Sequence, residues 1–167
     1  FHTDMARTFW VRSPKSKSPF RGIPSEFQTP KFLKAGREAL KMAIKAAKPG
    51  NRVGHISAAI EKEIRKVCFS PVEDLTGHGV GKRLHEEPQI PCVLRKPIKK
   101  TPLLQPGMTL AIEVIYTKGK PALILAEDGW TVKTADGSLA ALFEDTILVT
   151  KRAQIILTNL EMELIVC

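Results

Sequence analysis

The sequence contains little cysteine and no long apolar run. Its 3 cysteines include no Cys-x-x-Cys pair, so neither a disulfide framework nor a cysteine-ligated zinc site is predicted. An apolar run of about eighteen residues, the minimum for a transmembrane helix, does not occur. The first residues, FHTDMARTFW, carry polar and charged side chains where a signal peptide would be apolar. These absences favour a cytoplasmic protein with no membrane partner.

Aromatic residues are also scarce, at 6%, whereas basic residues are abundant. The 26 Lys and Arg exceed the 17 Asp and Glu and give a formal net charge of +9. Surfaces that bind single-stranded nucleic acid combine such charge with aromatic side chains that stack on bases. The basic stretches at 15–17 and 95–100 contain no aromatic residue. We therefore expect a basic surface, compatible with a position near the ribosome, but no dedicated nucleic-acid binding.

The length and composition predict one globular domain and, in solution, a monomer. A chain of 167 residues with 43% apolar and 26% charged residues is long enough to form a core and too apolar to be intrinsically disordered. Thr29-Pro30 predicts the start of a helix that ends at Lys48-Pro49-Gly50. A second helix is predicted over about 54–67. Each has an apolar stripe at helical spacing, formed by Leu33, Leu40, Ile44 and Ala47 in the first and by Ile56, Ile60, Ile64 and Val67 in the second.

Strands are predicted at both ends of this helical region. Residues 1–12 are predicted as a strand, followed by a Pro- and Ser-rich loop over 13–30. Alternating apolar residues predict strands over 108–116, 130–134 and 142–150. Two helices followed by an antiparallel meander indicate an α+β fold.

Two glutamates occupy the middle of these apolar strands. Glu113 lies on the opposite side from the apolar residues of 108–116, and Glu144 lies within 142–150. A half-buried carboxylate is unfavourable unless a positive charge meets it. A salt bridge would explain one such residue, but neither strand contains Lys or Arg, so a metal is the favoured interpretation of the pair. Asp4 and His78 complete a set of three carboxylates and one imidazole, suited to manganese, iron or cobalt and sufficient for two ions.

His78 lies in the segment Gly77-His78-Gly79-Val80-Gly81, and His85 follows seven residues later. The flanking glycines predict close approach of the backbone and an exposed imidazole. The further glycines permit a turn or bulge that brings His85 back over the site. In that position His85 would contact a substrate and would not bind the metal.

Four segments together resemble the motifs of the type I methionine aminopeptidases, metallopeptidases with the pita-bread fold. They are FHTDMARTF, GHGVGKRLHEEPQIP, LQPGMTLAIE and EDGWTVKTADGSLAALFEDT. The similarity runs from Phe1 to about Thr158, which is nearly the whole chain. It implies an antiparallel sheet covered by helices, and removal of the N-terminal methionine from nascent proteins by a metal-bound hydroxide.

The resemblance also implies a role for each candidate residue. Asp4, His78, Glu113 and Glu144 correspond to ligands of two divalent ions, which are cobalt, manganese or iron, with zinc as a further candidate. Glu144 would bridge both ions and carry a proton, and His85 would contact the peptide near its scissile carbonyl; these two are the predicted catalytic residues. Leu84 and Trp130 would line the pocket for the methionine side chain, although the family usually has Phe where Leu84 stands.

The sequence also departs from the family pattern. The family has a fifth metal ligand, an Asp one strand upstream of FHTD, and a second catalytic His, and neither is in this sequence. We therefore expect residues 1–158 to be the larger, C-terminal part of a single catalytic domain whose preceding strand carries the missing Asp. On its own this part is expected to bind metal weakly and to hydrolyse Met-peptides poorly or not at all. Residues 159–167 extend past the usual end of the family and have no assigned role.

Two other functions are compatible with the same residues. A proline-directed peptidase of the pita-bread fold would share all these ligands, but the HEEPQIP and DGWTVKTADGS segments favour the methionine enzyme. A non-catalytic pita-bread binding module would fit the positive charge, yet such modules lose metal ligands, and every ligand position within this sequence is kept.

Overall fold

The computed structural model describes residues 1–10 and 25–158, without the side chains of 25–29. The predicted loop over 13–30 lies mostly outside the described residues, as do the end of the first predicted strand and the tail 159–167. Within the described part the chain contains two helices, eight strands and one short 3-10 helix at Ile98–Lys100.

The two helices pack against each other and cover one face of the sheet. Helix α1 spans Ser25–Ala46 and helix α2 spans Val53–Lys66. The predicted apolar stripes are buried, apart from Val67, which is partly buried. The predicted start of α1 at Thr29-Pro30 is wrong, because the helix begins four residues earlier and contains Pro30. A proline this close to the start removes only one helical hydrogen bond, so the preceding turn can still form.

The main sheet has six strands and is antiparallel. Its strands are β1 Ser70–Pro71, β2 Thr76–Gly79, β3 Glu86–Pro91, β4 Thr109–Thr117, β7 Ala140–Val149 and β8 Gln154–Ile156. Along the sheet the order is β3-β2-β4-β7-β8, and β1 pairs with β4 off this path. The remaining strands, β5 Leu123–Leu125 and β6 Val132–Thr134, form a separate hairpin. This order confirms the predicted α+β class.

The long pair β4 and β7 separates the core from the opposite face of the sheet. Leu110, Ile112, Val114 and Tyr116 alternate along β4, are fully buried and belong to the core that includes the helix stripes. Because side chains alternate along a strand, Glu113 lies on the other face. Its register partner on β7 is Glu144, so the two carboxylates lie side by side on that face.

The predicted strand over residues 1–12 is not regular in its described part. A single bridge joins Ala6 to Glu144, and residues 1–10 form no named strand. Side chains bond to backbone groups that would otherwise pair two strands. The Asp4 N–H donates to Thr146 Oγ1, and the Arg7 guanidinium donates to the Glu144 carbonyl oxygen. The segment is therefore held beside β7 chiefly by side-chain contacts.

None of the helices in the described part is both long enough and apolar enough to cross a lipid bilayer.

Candidate metal centre

Three neighbouring strands and the N-terminal segment each place one candidate ligand at the same point. His78 of β2 is paired with Ala111 of β4, and Glu113 is two residues further along β4 on the same face. Glu144 is directly across from Glu113 on β7. Asp4 approaches from the N-terminal segment, and its carboxylate, the His78 imidazole and the Glu144 carboxylate have ligand atoms within 4.8 Å of one another. The structure thus brings together all four residues that the sequence proposed as ligands.

The imidazole of His78 is oriented by its own strand. Its Nδ1 lies 2.9 Å from the Gly79 carbonyl oxygen, which can only accept, so Nδ1 is the donor. This leaves Nε2 facing the carboxylates, 3.5 Å from Glu113 Oε1 and 4.0 Å from Asp4 Oδ2. A histidine held through one nitrogen with the other aimed at acidic oxygens is the usual arrangement of a metal ligand.

The glycines on either side of His78 permit close strand contacts. A Cβ at Gly77 would lie 2.5 Å from the Ala111 carbonyl oxygen, and one at Gly79 would lie 2.2 Å from that of Glu87. The expectation that these glycines expose the imidazole is wrong, because His78 is only 6% exposed. The close packing that the glycines allow encloses the ring between the neighbouring strands.

Burial and mutual repulsion disfavour the charged form of these carboxyl groups in the absence of a cation. Burial, and then the charge of Asp4, raises the pKa of Glu113 to about 7. Burial, and then the charges of Glu113, Asp4 and Asp145, raises the pKa of Glu144 to about 8, although Arg7 opposes this. In addition, Glu144 Oε1 is buried and has no hydrogen-bond partner. A buried carboxylate oxygen without a partner is rare and calls for an explanation.

The donor set fits divalent cations. Three carboxylates offer hard, anionic oxygens and His78 offers one nitrogen, a mixture typical of manganese, iron or cobalt and unlike the sulfur-rich structural zinc sites. A cation would give Glu144 Oε1 the partner it lacks and would offset the repulsion between the acids.

Residues that the sequence did not single out support the ligands. The Arg7 guanidinium lies 2.6 Å from Asp145 Oδ1, and the Asp145 side chain is only 8% exposed. The same guanidinium donates to the Glu144 carbonyl oxygen. Thr146 Oγ1 donates to the Asp4 carbonyl oxygen at 2.7 Å and accepts from the Asp4 N–H at 2.8 Å. These contacts join the N-terminal segment to β7. Asp145 and Thr146, two adjacent polar residues in an apolar strand, could have indicated from the sequence that this strand makes polar contacts. Their partners could not be identified, because they lie more than 130 positions away.

His85 lies beside the centre, whereas the two predicted pocket residues are open. The His85 and His78 rings are 4.4 Å apart in an edge-on arrangement, after a register shift between Gly77 and Gly79 and a turn. Leu84 is 40% exposed, and Trp130, in the turn of the β5–β6 hairpin, is 87% exposed. The described residues therefore do not form a closed pocket around either side chain.

The fold and this cluster of acids around a histidine agree with comparisons to known proteins. The model of metallopeptidase family M24 matches residues 1–151, and the chain belongs to this family. Over 130 residues it is 45% identical to a methionine aminopeptidase of Aquifex aeolicus, which covers 78% of this chain and 50% of that protein. The chain spans about half the length of the curated relatives it matches.

Solved structures agree on the fold. A methionine aminopeptidase from Thermotoga maritima superposes with a TM-score of 0.75 at 43% identity, covering 78% of this chain and 52% of that one. The prolidase from Pyrococcus furiosus has a TM-score of 0.66 at 24% identity, covering 95% of this chain and 37% of that one. The prolidase likeness shows the fold alone. The pita-bread fold is thus confirmed, as is membership of a family of divalent-metal-dependent hydrolases.

Proposed function

We propose that this chain carries the metal centre of a methionyl aminopeptidase, which removes the N-terminal methionine from nascent polypeptides. The observation that supports it most strongly is the convergence of Asp4, Glu113 and Glu144 on one buried imidazole. The similarity to methionine aminopeptidases supports this choice of substrate over the proline-directed alternative. Residues 1–158 would act together as one catalytic unit.

In this proposal the four clustered residues hold two divalent cations, which are cobalt, manganese, iron or zinc. Asp4, His78, Glu113 and Glu144 would supply the ligand atoms, and Glu144, at the centre of β7, would contribute to both sites. When bound, the cations supply Lewis acidity and a fixed positive charge at the peptide carbonyl. The free amino group of the substrate would bind one of the cations, which accounts for an exopeptidase.

The chain's own residues would position the peptide and handle the proton. His85 stands next to the centre, makes no hydrogen bond to another residue of the described chain and is exposed to an incoming peptide. We assign its imidazole to a hydrogen bond with the peptide backbone at the scissile bond. We assign Glu144 Oε1 to carrying a proton toward the leaving amine. Leu84 and Trp130 would contact the methionine side chain.

Metal binding tests the ligand assignment directly. Calorimetric titration of the 167-residue chain with Mn²⁺ and Co²⁺ should give saturable binding, and His78→Ala should abolish it. Glu113→Gln and Glu144→Gln should each weaken it by at least about tenfold, since an outright ligand contributes more than the supporting groups whose loss costs 10–100-fold. Glu63→Gln, which removes a carboxylate from α2, is the matched control and should bind as the unaltered chain does. Equal affinity in all five proteins would overturn the assignment.

Peptide cleavage tests the substrate. With Mn²⁺ or Co²⁺ present, release of methionine from Met-Ala-Ser should exceed cleavage of Ala-Pro dipeptide, and chelation should stop it. Preference for Ala-Pro would favour the proline-directed peptidase. Cleavage of neither peptide by a longer chain that also supplies the family's fifth ligand would favour a binding module.

A further inference from the structure

A groove runs from the metal centre along β2 and β3 to a basic region at the edge of the sheet. Next to the centre, a cavity of about 400 Å³ is lined by His78 and His85. Beyond it, a second cavity of about 350 Å³ is lined by Arg95, Lys96 and Lys100. Neither the sequence motifs nor the proposed chemistry assigns a role to this second cavity.

The two cavities adjoin each other at the edge strand β3. Thr76, Glu87 and Gln89 line both of them. On β3, Glu87 and Gln89 are exposed, whereas the intervening residues of the strand are buried on the core side. On β2, Thr76 is two residues from His78 and therefore shares its face. A ligand lying across Thr76, Glu87 and Gln89 would contact the metal centre at one end and the basic region at the other.

The two ends of this groove differ in charge. Beside the centre, Glu86 and Glu87 outnumber Arg83 among the lining residues, whereas the far end has Arg95, Lys96 and Lys100, with Lys99 adjacent in the chain. The Arg95 guanidinium donates to the Glu73 backbone carbonyl, and no ion pair links these four basic residues to a carboxylate within residues 25–158 or 1–10. Glu87 is the one acidic residue that lines the basic cavity. The far end thus offers basic side chains that no carboxylate of the described chain neutralises.

We propose that this groove holds the downstream part of the substrate and favours peptides with Asp or Glu several residues after the N-terminus. The inference rests on the aminopeptidase function proposed above and specifies its substrate class. His78 lies opposite the middle of β3, between the register pairs Gly77–Ile90 and Gly79–Glu86, and the basic residues follow the end of this strand at 95–100. An extended peptide advances about 3.3 Å per residue, so several residues separate an N-terminus at the centre from a side chain at the basic end. The N-terminus would lie beside the centre and the downstream acids at the basic end.

A peptide fits this groove better than a nucleic acid does. The residues that line the basic cavity include no aromatic side chain on which a base could stack. A nucleic acid would also bring phosphates toward the carboxylates at the other end, whereas a peptide with a free amino group and acidic downstream residues matches both ends.

The test compares binding of three labelled peptides to the Mn²⁺-loaded 167-residue chain. All begin Met-Ala-Ser-Gly; positions five to seven are Asp-Glu-Asp, Ser-Gly-Ser or Lys-Arg-Lys. By fluorescence anisotropy, the acidic peptide should bind about three- to tenfold more tightly than the neutral one, and the basic peptide more weakly. The advantage should disappear between 0.1 and 1 M salt, as the screening length falls from about 10 to about 3 Å.

Two variants with the same change in charge locate the effect. Lys96→Glu/Lys100→Glu should remove the preference for the acidic peptide. Lys31→Glu/Lys34→Glu, on the exposed face of α1, is the matched control and should keep it. Both replace exposed lysines and should fold as the unaltered chain does, which circular dichroism checks. Lys96→Gln/Lys100→Gln, which removes charge without reversing it, should reduce the preference about halfway.

Several outcomes would overturn the inference, and they differ from a failure of the proposed function. Equal affinity for the acidic and neutral peptides, or an unchanged preference in Lys96→Glu/Lys100→Glu, excludes the acidic-substrate groove even if Met-Ala-Ser is cleaved. Undiminished binding of an N-acetylated acidic peptide would show that the peptide does not reach the centre. Tighter, Lys96- and Lys100-dependent binding of duplex RNA than of any peptide would assign the basic cavity to a phosphate polymer. A preference for the acidic peptide without cleavage of Met-Ala-Ser, even when the family's fifth ligand is supplied, would count against the proposed activity and not against the groove.

Discussion

Two histidines with touching rings occupy different environments. His78 is buried, fixed through Nδ1 and aimed at carboxylates, whereas His85 is exposed beside it. A buried imidazole among acids is suited to holding a cation, and an exposed one to meeting a ligand from solvent. The two residues should therefore respond differently to substitution.

Replacing each histidine by alanine should separate metal binding from catalysis. In a longer chain that also carries the fifth ligand, His85→Ala should keep its metal content while kcat/KM for Met-Ala-Ser falls about ten- to a thousandfold, because one positioned hydrogen bond is lost. His78→Ala should lose both metal and activity. Metal analysis after gel filtration, together with initial rates, measures the two effects. An unchanged rate for His85→Ala would reduce it to a surface histidine.

Arg7 is expected to be the most sensitive residue outside the proposed ligand set. Arg7→Ala leaves the buried carboxylate of Asp145 without its guanidinium partner, which should lower the free energy of unfolding by about 3–5 kcal/mol. Arg65→Ala is the control, since its pair with Glu61 is exposed and should contribute at most about 0.5 kcal/mol. Urea denaturation of the three proteins compares them. Similar losses for both variants would show that the Arg7 pair has no special importance.

At the scale of elements, α1 lies unusually close to the sheet where it carries Gly36. A Cβ at this position would lie 2.3 Å from Phe143 Cδ2 and 2.7 Å from Tyr116 Cε1. The helix can approach the β4–β7 pair because this residue has no side chain.

Gly36→Ala should therefore destabilise the protein although alanine is the better helix former. The propensity gain is about 1 kcal/mol, whereas overpacking against two aromatic rings costs about 1–3 kcal/mol. We expect a lower melting temperature by calorimetry. Lys41→Ala, on the exposed side of the same helix, should change it little. A higher melting temperature for Gly36→Ala would mean that the sheet moves away without penalty.

The paired carboxylates of β4 and β7 should make the ion-free chain sensitive to pH. The pKa values of Glu113 and Glu144, raised from 4.5 to about 7 and about 8, mean that the folded state binds more protons than the unfolded state between these limits. Stability is therefore greatest below about pH 4.5 as far as these two groups are concerned, and it falls as the pH rises through 7 and 8.

In EDTA, the free energy of unfolding should thus fall by a few kcal/mol between about pH 5 and pH 8.5 relative to Glu113→Gln/Glu144→Gln. Urea denaturation across this range gives the difference between the two proteins. Parallel pH profiles would show that these carboxyls have ordinary pKa values in the folded chain. Adding Mn²⁺ at pH 8 should restore stability in the unaltered chain alone.

Local patterns predicted much of this arrangement because the relevant signals are short in range. The two-residue alternation of β4 placed Glu113 opposite the core, and helical spacing identified the buried stripes. The start of α1 was missed because Thr29-Pro30 satisfies the local rule for a helix start, while the structure continues the helix through it. The β2–β3 hairpin carries glycines and prolines that obscure a strand pattern, and the Arg7–Asp145 contact joins residues that no local pattern relates.

At the scale of the whole molecule, the basic charge is unevenly arranged with respect to the site. The amino-acid sequence shows a net charge of +9 but not where on the surface the basic side chains lie. The fold places one basic group at the far end of a groove that begins beside the metal centre. The net charge therefore says little about the partner of this protein, whereas the position of the basic residues along the groove indicates which peptides would bind there.

The contact between Asp4 and Thr146 spans 142 positions in the chain. During synthesis at about 5–20 residues per second, the first segment would wait about 7–28 s before the strand that receives it has been made. Closing so long a loop also delays this contact relative to the local pairing of β2 with β3. The centre would consequently assemble last, and a cation could be captured with all four residues only after translation of β7. The chain therefore becomes able to bind metal only late in its synthesis, because β7 is translated after the segments that carry the other three ligands.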